Sequence, residues 1–195
     1  MAKYMIDDLI KKTRSIRRFD ESFKVDRKTV EEVINLARLS ASARNRQPLK
    51  YILSVDKETN DLVFPTLTFA AALKDWSGPL AGERPTAYIV VLGDTSISSD
   101  FGHDCGIACQ SIMLGACIRG LGGCMMGSVD RRKLRDNLKI PDRYEVLLVL
   151  ALGKPAEQVV IEPLGDEGSI NYWRDSQGVH HVPKRSLEEI ILELA

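Results

Sequence analysis

An almost wholly apolar run, Ala87-Tyr88-Ile89-Val90-Val91-Leu92, constrains this chain more than any other segment. Apolar residues without alternation make a strand that has to be covered on both faces, so it belongs at the centre of a layered fold. Glu145 to Leu152 has the same character and is closed by Gly153-Lys154-Pro155. Between the two, Phe101 to Arg119 has helical character, with Ile107, Ile112, Met113, Leu114, Ala116 and Ile118 placed nearly all round. A helix apolar on every side is buried, either in the core or at a subunit interface. Gly120, Gly122 and Gly123 end it abruptly, Gly120 standing where a helix C-terminus favours glycine.

Weaker signals fill in the rest. Residues 4 to 12 space Met5, Ile6, Leu9 and Ile10 as a short amphipathic helix. Asp26 is placed to cap a helix through Val30, Val33, Ile34, Ala37 and Leu39. Ser40 to Pro48 has no period and predicts a loop, followed by a strand over Lys50 to Val55. A helix at 66 to 75 and a Gly/Pro loop to residue 84 are the expectation for the least patterned stretch. After Gly127-Ser128 comes a short helix carrying Arg132, Leu134 and Leu138. Residues 156 to 182 are polar and weakly patterned, and helical spacing returns only over Ser186 to Leu194. The division is a core of residues 1–155 and an extension of residues 156–195, which wraps either its own body or a partner subunit.

Bulk properties narrow the function. The 195 residues suit one domain with an extension. Lys plus Arg and Asp plus Glu both number 27. A nucleic-acid partner would normally leave a basic surplus, so the expected ligand is a small anion. The longest apolar runs are too short to cross a bilayer, so no membrane partner is expected. The acidic start, Asp7-Asp8, is unlike a signal peptide, and Cys105, Cys109, Cys117 and Cys124 look like reduced thiols. Both point to a cytoplasmic protein.

Two segments carry candidate chemistry. Arg14, Arg17 and Arg18 with Ser15 could grip phosphate oxygens through guanidinium forks, or form a solvated basic turn. Ser42, Asn45 and Gln47 before Pro48 could meet hydroxyls or ring edges, or bond their own loop backbone. Cys105 and Cys109 with His103 and Asp104 lack the second ligand pair a metal site needs, so no metal is expected. Met125-Met126-Gly127 suits core filling plus a turn, or backbone lying flat along a planar ligand.

Taken in order, Arg14-Ser15-x-Arg17-x-Phe19, then Ser42-x-x-Asn45-x-Gln47-Pro48, then the apolar helix and Gly120-Leu121-Gly122, resemble the FMN-dependent nitroreductase family. Val182-Pro183-Lys184-Arg185 is similar to that family's C-terminal basic pair. The resemblance implies an α+β fold, a mixed central sheet flanked by helices, and a homodimer with two shared active sites. It assigns Arg14, Ser15 and Arg17 to the flavin's phosphate, ribityl chain and pyrimidine edge, with Lys184 and Arg185 completing the phosphate site. Ser42, Asn45 and Gln47 would serve the ribityl chain and ring, Ser42 and Asn45 from the other subunit. The backbone of Met126, Gly127 and Ser128 would lie beside the isoalloxazine. NADH or NADPH would be the co-substrate and a nitroaromatic or quinone the small-molecule acceptor, in ping-pong turnover with no side-chain acid or base. A dedicated-substrate flavoenzyme and a flavin-storing protein are the alternatives. The sequence departs from the family pattern at Thr13, Ala41, Leu49 and Met125 to Ser128, which bears on substrate more than on flavin.

Overall fold

The structure is a computed structural model of the chain and describes residues 6–70, 73 and 75–192. At its centre lies β3 (Ala87–Asp94), buried at all eight positions. It pairs antiparallel with β2 (Leu49–Ser54) on one edge and β5 (Tyr144–Pro155) on the other. Because alternate side chains of a strand point to opposite faces, β3 serves two cores. Ala87, Ile89 and Val91 meet α2 (Arg27–Leu39) and α4 (Gly102–Ile118) through Val33, Ala37, Ala108 and Ile112. Tyr88, Val90 and Leu92 meet Val63 of α3 (Lys57–Val63), Phe69, Leu134 of α5 (Arg131–Leu138) and Ile140. The result is an α+β layered fold, helix and loop on both faces of one sheet.

The far edge of β5 carries β4 (Gly122–Met126), Gly123 facing Leu152 and Met126 facing Val149. The short β1 (Phe19–Asp20) pairs with Pro155 and Lys154 at the end of β5. These ladders are antiparallel, and a parallel bridge from Ser15 to Gly123 gives the sheet its mixed character. Along β5 one residue, Leu147, is extra between the partners of Val91 and Leu92. Arg131 at the start of α5 donates to the carbonyls of Val146 and Leu147, both at 3.0 Å, so the bulge leaves them satisfied.

Local signals hold where the chemistry is local. Asp26 accepts the Thr29 N–H at 2.8 Å, and α2 begins one residue later. Gly120, at φ 73°, turns the chain out of α4. The helix expected over residues 4 to 12 is α1 (Ile6–Lys12); Tyr4 and Met5 lie outside the described residues. No described helix is long and apolar enough to cross a membrane.

Five expectations are corrected. The helix expected at 66 to 75 is absent from its described part. Phe64–Thr66 forms a 3-10 turn, Leu67 bridges to Val129, and residues 71, 72 and 74 lie outside the described residues. Tertiary pairing with the segment after β4 has overridden local propensity there. Met125-Met126 is strand rather than turn. Gly122 and Gly123 begin β4 rather than only ending α4. Residues 156–182 are not structureless: β6 (Val159–Pro163) pairs parallel with β8 (His180–Lys184), and β7 (Trp173–Arg174) pairs antiparallel with β8. The last helix, α6, runs only from Leu187 to Ile190.

Gly123 explains why β4 is hard to see in the sequence. A Cβ there would come within 2.5 Å of the Ala151 carbonyl oxygen and 2.6 Å of a Leu152 methyl, so β4 approaches β5 only as glycine. The Gly123 carbonyl also accepts the Ile16 N–H at 2.8 Å. Gly123→Ala is therefore expected to destabilise the fold by about 1–3 kcal/mol through overpacking against backbone. Urea denaturation of the two proteins measures it.

Candidate functional site

The segment from Thr13 to Arg18 is drawn out between α1 and β1, and both ends are anchored. Thr13 donates its hydroxyl to the Leu9 carbonyl at 2.7 Å, closing α1. Arg14 folds back, its Nε donating to Thr13 O at 2.8 Å and its Nη2 to Ile10 O at 3.0 Å, where a cation also suits the helix C-terminus. Ile16 is buried and bonded to β4, which leaves Ser15 and Arg17 facing outward on either side of it. Burial lowers the pKa of Arg14 below the usual arginine value. A bound anion would offset that penalty.

The extension forms the opposite wall. Glu157 is 2% exposed, and its Oε1 accepts the Arg17 N–H at 2.5 Å and the Arg18 N–H at 3.1 Å. Its other oxygen pairs with Arg174 at 2.7 Å. His180, 1% exposed, approaches Arg17 with Nε2 3.4 Å from Nη1. The Arg17 guanidinium also lies over the Tyr172 ring, 4.8 Å from its centroid. Arg14, Ser15, Arg17, Gln110 of α4, Met125 of β4, Tyr172, His180 and Lys184 thus enclose one cleft of about 330 Å³. Its lining combines three cations, Arg14, Arg17 and Lys184, with apolar surface from Met113, Met125 and Val182.

The second motif stands elsewhere. Ser42 donates to Asp104 Oδ2 at 2.5 Å and accepts the Gln47 N–H at 2.9 Å, while the Ala43 N–H reaches Asp104 Oδ1 at 2.8 Å. The buried Asp104 carboxylate, from the first turn of α4, therefore organises this loop. It holds Arg44, Asn45 and Gln47 at φ of 54, 54 and 51°, sparsely populated for residues with a Cβ. Ser42 and Gln47 line a separate cleft with Lys50 and Tyr51, and Asn45 is exposed on the loop. Arg185 faces a third cleft beside Ile161 and is paired with Glu189. Met126 points into the core, while Gly127 and Ser128 are exposed just beyond β4.

Within one chain, then, Arg14, Ser15, Arg17 and Lys184 come together. Ser42, Asn45, Gln47 and Arg185 do not join them.

A profile described as “Nitroreductase family” matches residues 10–154. The chain belongs to the nitroreductase family. Two archaeal relatives carry the name “Putative NADH dehydrogenase/NAD(P)H nitroreductase”. The Archaeoglobus fulgidus protein is 29% identical over 153 residues, covering 74% of this chain and 82% of its own. The Methanothermobacter thermautotrophicus protein is 28% identical over 178 residues, covering 88% of each chain. Among solved structures, a nitroreductase family protein from Clostridium novyi NT aligns with a TM-score of 0.65 at 25% identity, over 78% of this chain and 87% of that one. An “FMN-dependent Nitroreductase” from Clostridium difficile R20291 aligns with a TM-score of 0.62 at 24% identity, over 79% and 89%.

The matched segment stops at residue 154, so Glu157, Tyr172, His180 and Lys184 lie beyond it. Sequence reasoning missed Gln110, Tyr172 and His180 as cleft residues, and Glu157 as the buried carboxylate behind them. A glutamine in an otherwise apolar helix was a legible signal, but nothing near Glu157 marks it as buried.

The two adjacent histidines differ in their surroundings. Burial lowers the His180 pKa to about 4, with the Arg17 charge adding to the effect. His181 stacks on Trp173 at 4.0 Å, and its nitrogens approach Glu162 at 2.5 Å and Asp175 at 3.3 Å, which raises its pKa above 6.5. A raised His pKa stabilises the fold below the unfolded value and loses that contribution as pH rises through the folded value. The depressed His180 contributes above about 6.5 and is lost as pH falls through about 4. An NMR titration of the ring protons is expected to give His181 a midpoint above 6.5 and His180 one near 4.

Glu157→Ala would leave Arg174 buried without its partner and two backbone N–H groups unsatisfied. The expected cost is about 3–5 kcal/mol in chemical denaturation, since breaking a buried pair strands its other charge.

Proposed function

We propose that the protein is an FMN-dependent oxidoreductase that draws electrons from NADH or NADPH and reduces small electron-poor acceptors such as nitroaromatics or quinones. The observation that supports this most is the convergence of Arg14, Ser15, Arg17 and Lys184 on one cleft with apolar walls. Membership of the nitroreductase family supports the redox class.

The donor set fits FMN. A phosphate presents oxygens to guanidinium forks and an ammonium group, and the Ser15 hydroxyl can give or take a hydrogen bond with a ribityl chain. Met113, Met125 and Val182 offer apolar surface of the kind a flat ring requires. FMN bound there supplies hydride chemistry, which the side chains of this chain do not. The chain's own residues bind and orient. Arg14 and Lys184 would neutralise the cofactor's anionic charge, Arg17 would offer a further cation, and Met125 and Tyr172 would keep water from the bound group.

A second subunit completes the site in this reading. Ile107 and Ile118 of α4 remain 41 and 52% exposed in the single chain, an unpartnered apolar face on the family's matched segment. A homodimer packed on that face would bring Ser42, Asn45 and Gln47 toward the partner's cleft, with the exposed backbone of Gly127 and Ser128 nearby. Lys184 would be the extension's phosphate cation, and Arg185 could join it only by leaving Glu189.

The test is an absorbance spectrum of the purified protein, then anaerobic addition of NADH and of NADPH. Flavin bands that bleach on addition support the oxidoreductase; bands that persist favour storage; no bands after incubation with FMN overturn the reading. Arg14→Ala with Arg17→Ala is expected to release the flavin, each charge-assisted contact being worth about 1.5–3 kcal/mol. A double variant that stays fully yellow would place the phosphate elsewhere.

A further inference from the structure

Arg17 is restrained in an unusual manner. No described carboxylate forms an ion pair with its guanidinium, although Glu157 lies against the same residue. Glu157 instead uses its oxygens on the backbone N–H groups of Arg17 and Arg18 and on Arg174. What touches the Arg17 guanidinium is neutral: the Ser15 carbonyl at 3.4 Å, the Tyr172 ring face at 4.8 Å, His180 Nε2 at 3.4 Å and the Cys124 thiol, which burial keeps protonated. These neighbours orient the cation without neutralising it. Its full charge stays available to a ligand.

A guanidinium only donates, so a hydrogen bond to His180 needs a lone pair on Nε2. The neutral ring therefore carries its proton on Nδ1. That atom is buried and has no hydrogen-bond partner among the described residues. A buried donor left unpaired costs stability, and an apolar residue of the same shape would avoid the cost. The ring carries that penalty on one nitrogen while the other meets Arg17 at the cleft wall, a trade that packing alone does not require.

We propose that His180 is a positioning residue: its neutral imidazole, packed beside the Tyr172 ring with centroids 5.1 Å apart, holds the uncompensated Arg17 cation in place for the flavin. The assignment rests on the FMN reading above and adds that the extension, beyond the family-matched segment, sets the affinity of the site. Charged groups around His180 are Arg17, Glu157, Arg174 and His181. Three of the four are cations or can become one, so a protonated His180 would repel Arg17 rather than hold it.

The experiment measures FMN dissociation constants by flavin fluorescence quenching for the wild-type protein, His180→Phe and His180→Gln, with thermal midpoints for each. Phe keeps the volume and loses the acceptor; Gln can present its carbonyl oxygen near the Nε2 position. The expected result is about tenfold weaker binding for His180→Phe, ~1.4 kcal/mol, and recovery to within about threefold for His180→Gln. Tyr172→Leu, at a half-exposed position, removes the adjoining aromatic restraint and should weaken FMN by a similar factor even if His180→Phe folds poorly. Wild-type affinity in both His180→Phe and Tyr172→Leu overturns the proposal. So does equal loss in His180→Phe and His180→Gln, which would mark a packing role. A wild-type protein that takes up no FMN overturns the functional reading itself, an outcome distinct from wild-type binding that the variants leave unchanged.

Discussion

Burial of β3 on both faces is the constraint from which the rest of the molecule follows. A strand covered above and below needs two cores, so helices must lie on each side and neighbouring strands must pair along both edges. β2 takes one edge and β5 the other, and β5 in turn offers its free edge to β4. Gly123 lets β4 come close enough to β5 to pair. Its carbonyl then receives Ile16, and the basic segment is pinned to the sheet. The cleft is therefore three contacts removed from β3 and as rigid as that chain of contacts.

Charge is partitioned in a consistent manner around the cleft. The two buried carboxylates that shape the motif loops, Glu157 and Asp104, both bind backbone N–H groups. Neither pairs with Arg14, Arg17 or Lys184. A carboxylate paired to any of these would cancel the charge a phosphate needs and would compete with it directly. Placed on the backbone, the same negative charge fixes the loop and leaves the side-chain cation unspent. Zero net charge over the whole chain is thus compatible with a locally cationic cleft.

The sequence was most legible where one local rule decides. The apolar run 87–92 announced the central strand, Asp26 the start of α2, and Gly120 the end of α4. Arg14, Ser15, Arg17 and Lys184 do face one cleft, Ser15 and Arg17 because side chains flanking the buried Ile16 have to point outward, while Arg18 turns away to Glu83 and Trp76. Legibility fails where long-range contact decides. β4 hides behind two glycines chosen for close approach to β5, and Leu67 and Thr68 pair with the segment after β4 instead of forming a helix. The extension's sheet is held by His181 stacked on Trp173 and by Glu157 with Arg174, and none of these leaves an apolar period to read. Glu157 lies 140 positions from Arg17, so no spacing rule connects them.

That separation also bears on how the family's core can serve different ends. Residues 10–154 carry the family match, and they supply Arg14, Ser15, Arg17, Gln110, Met113 and Met125 to the cleft. The remaining wall, with Tyr172, His180, Val182 and Lys184, comes from the extension. A change in the extension can move the wall without touching β3, because Glu157, Arg174 and the two histidines bond chiefly to the basic segment and to one another. Within the family-matched segment, Met125 lies on β4, which is paired to β5, and Met113 is buried in α4, so a change there strains the core. Change at Tyr172, Val182 or Lys184 leaves β3 and its pairing untouched, whereas Glu157, one hydrogen bond from the Arg17 backbone, holds the two parts together and is the position that cannot vary freely.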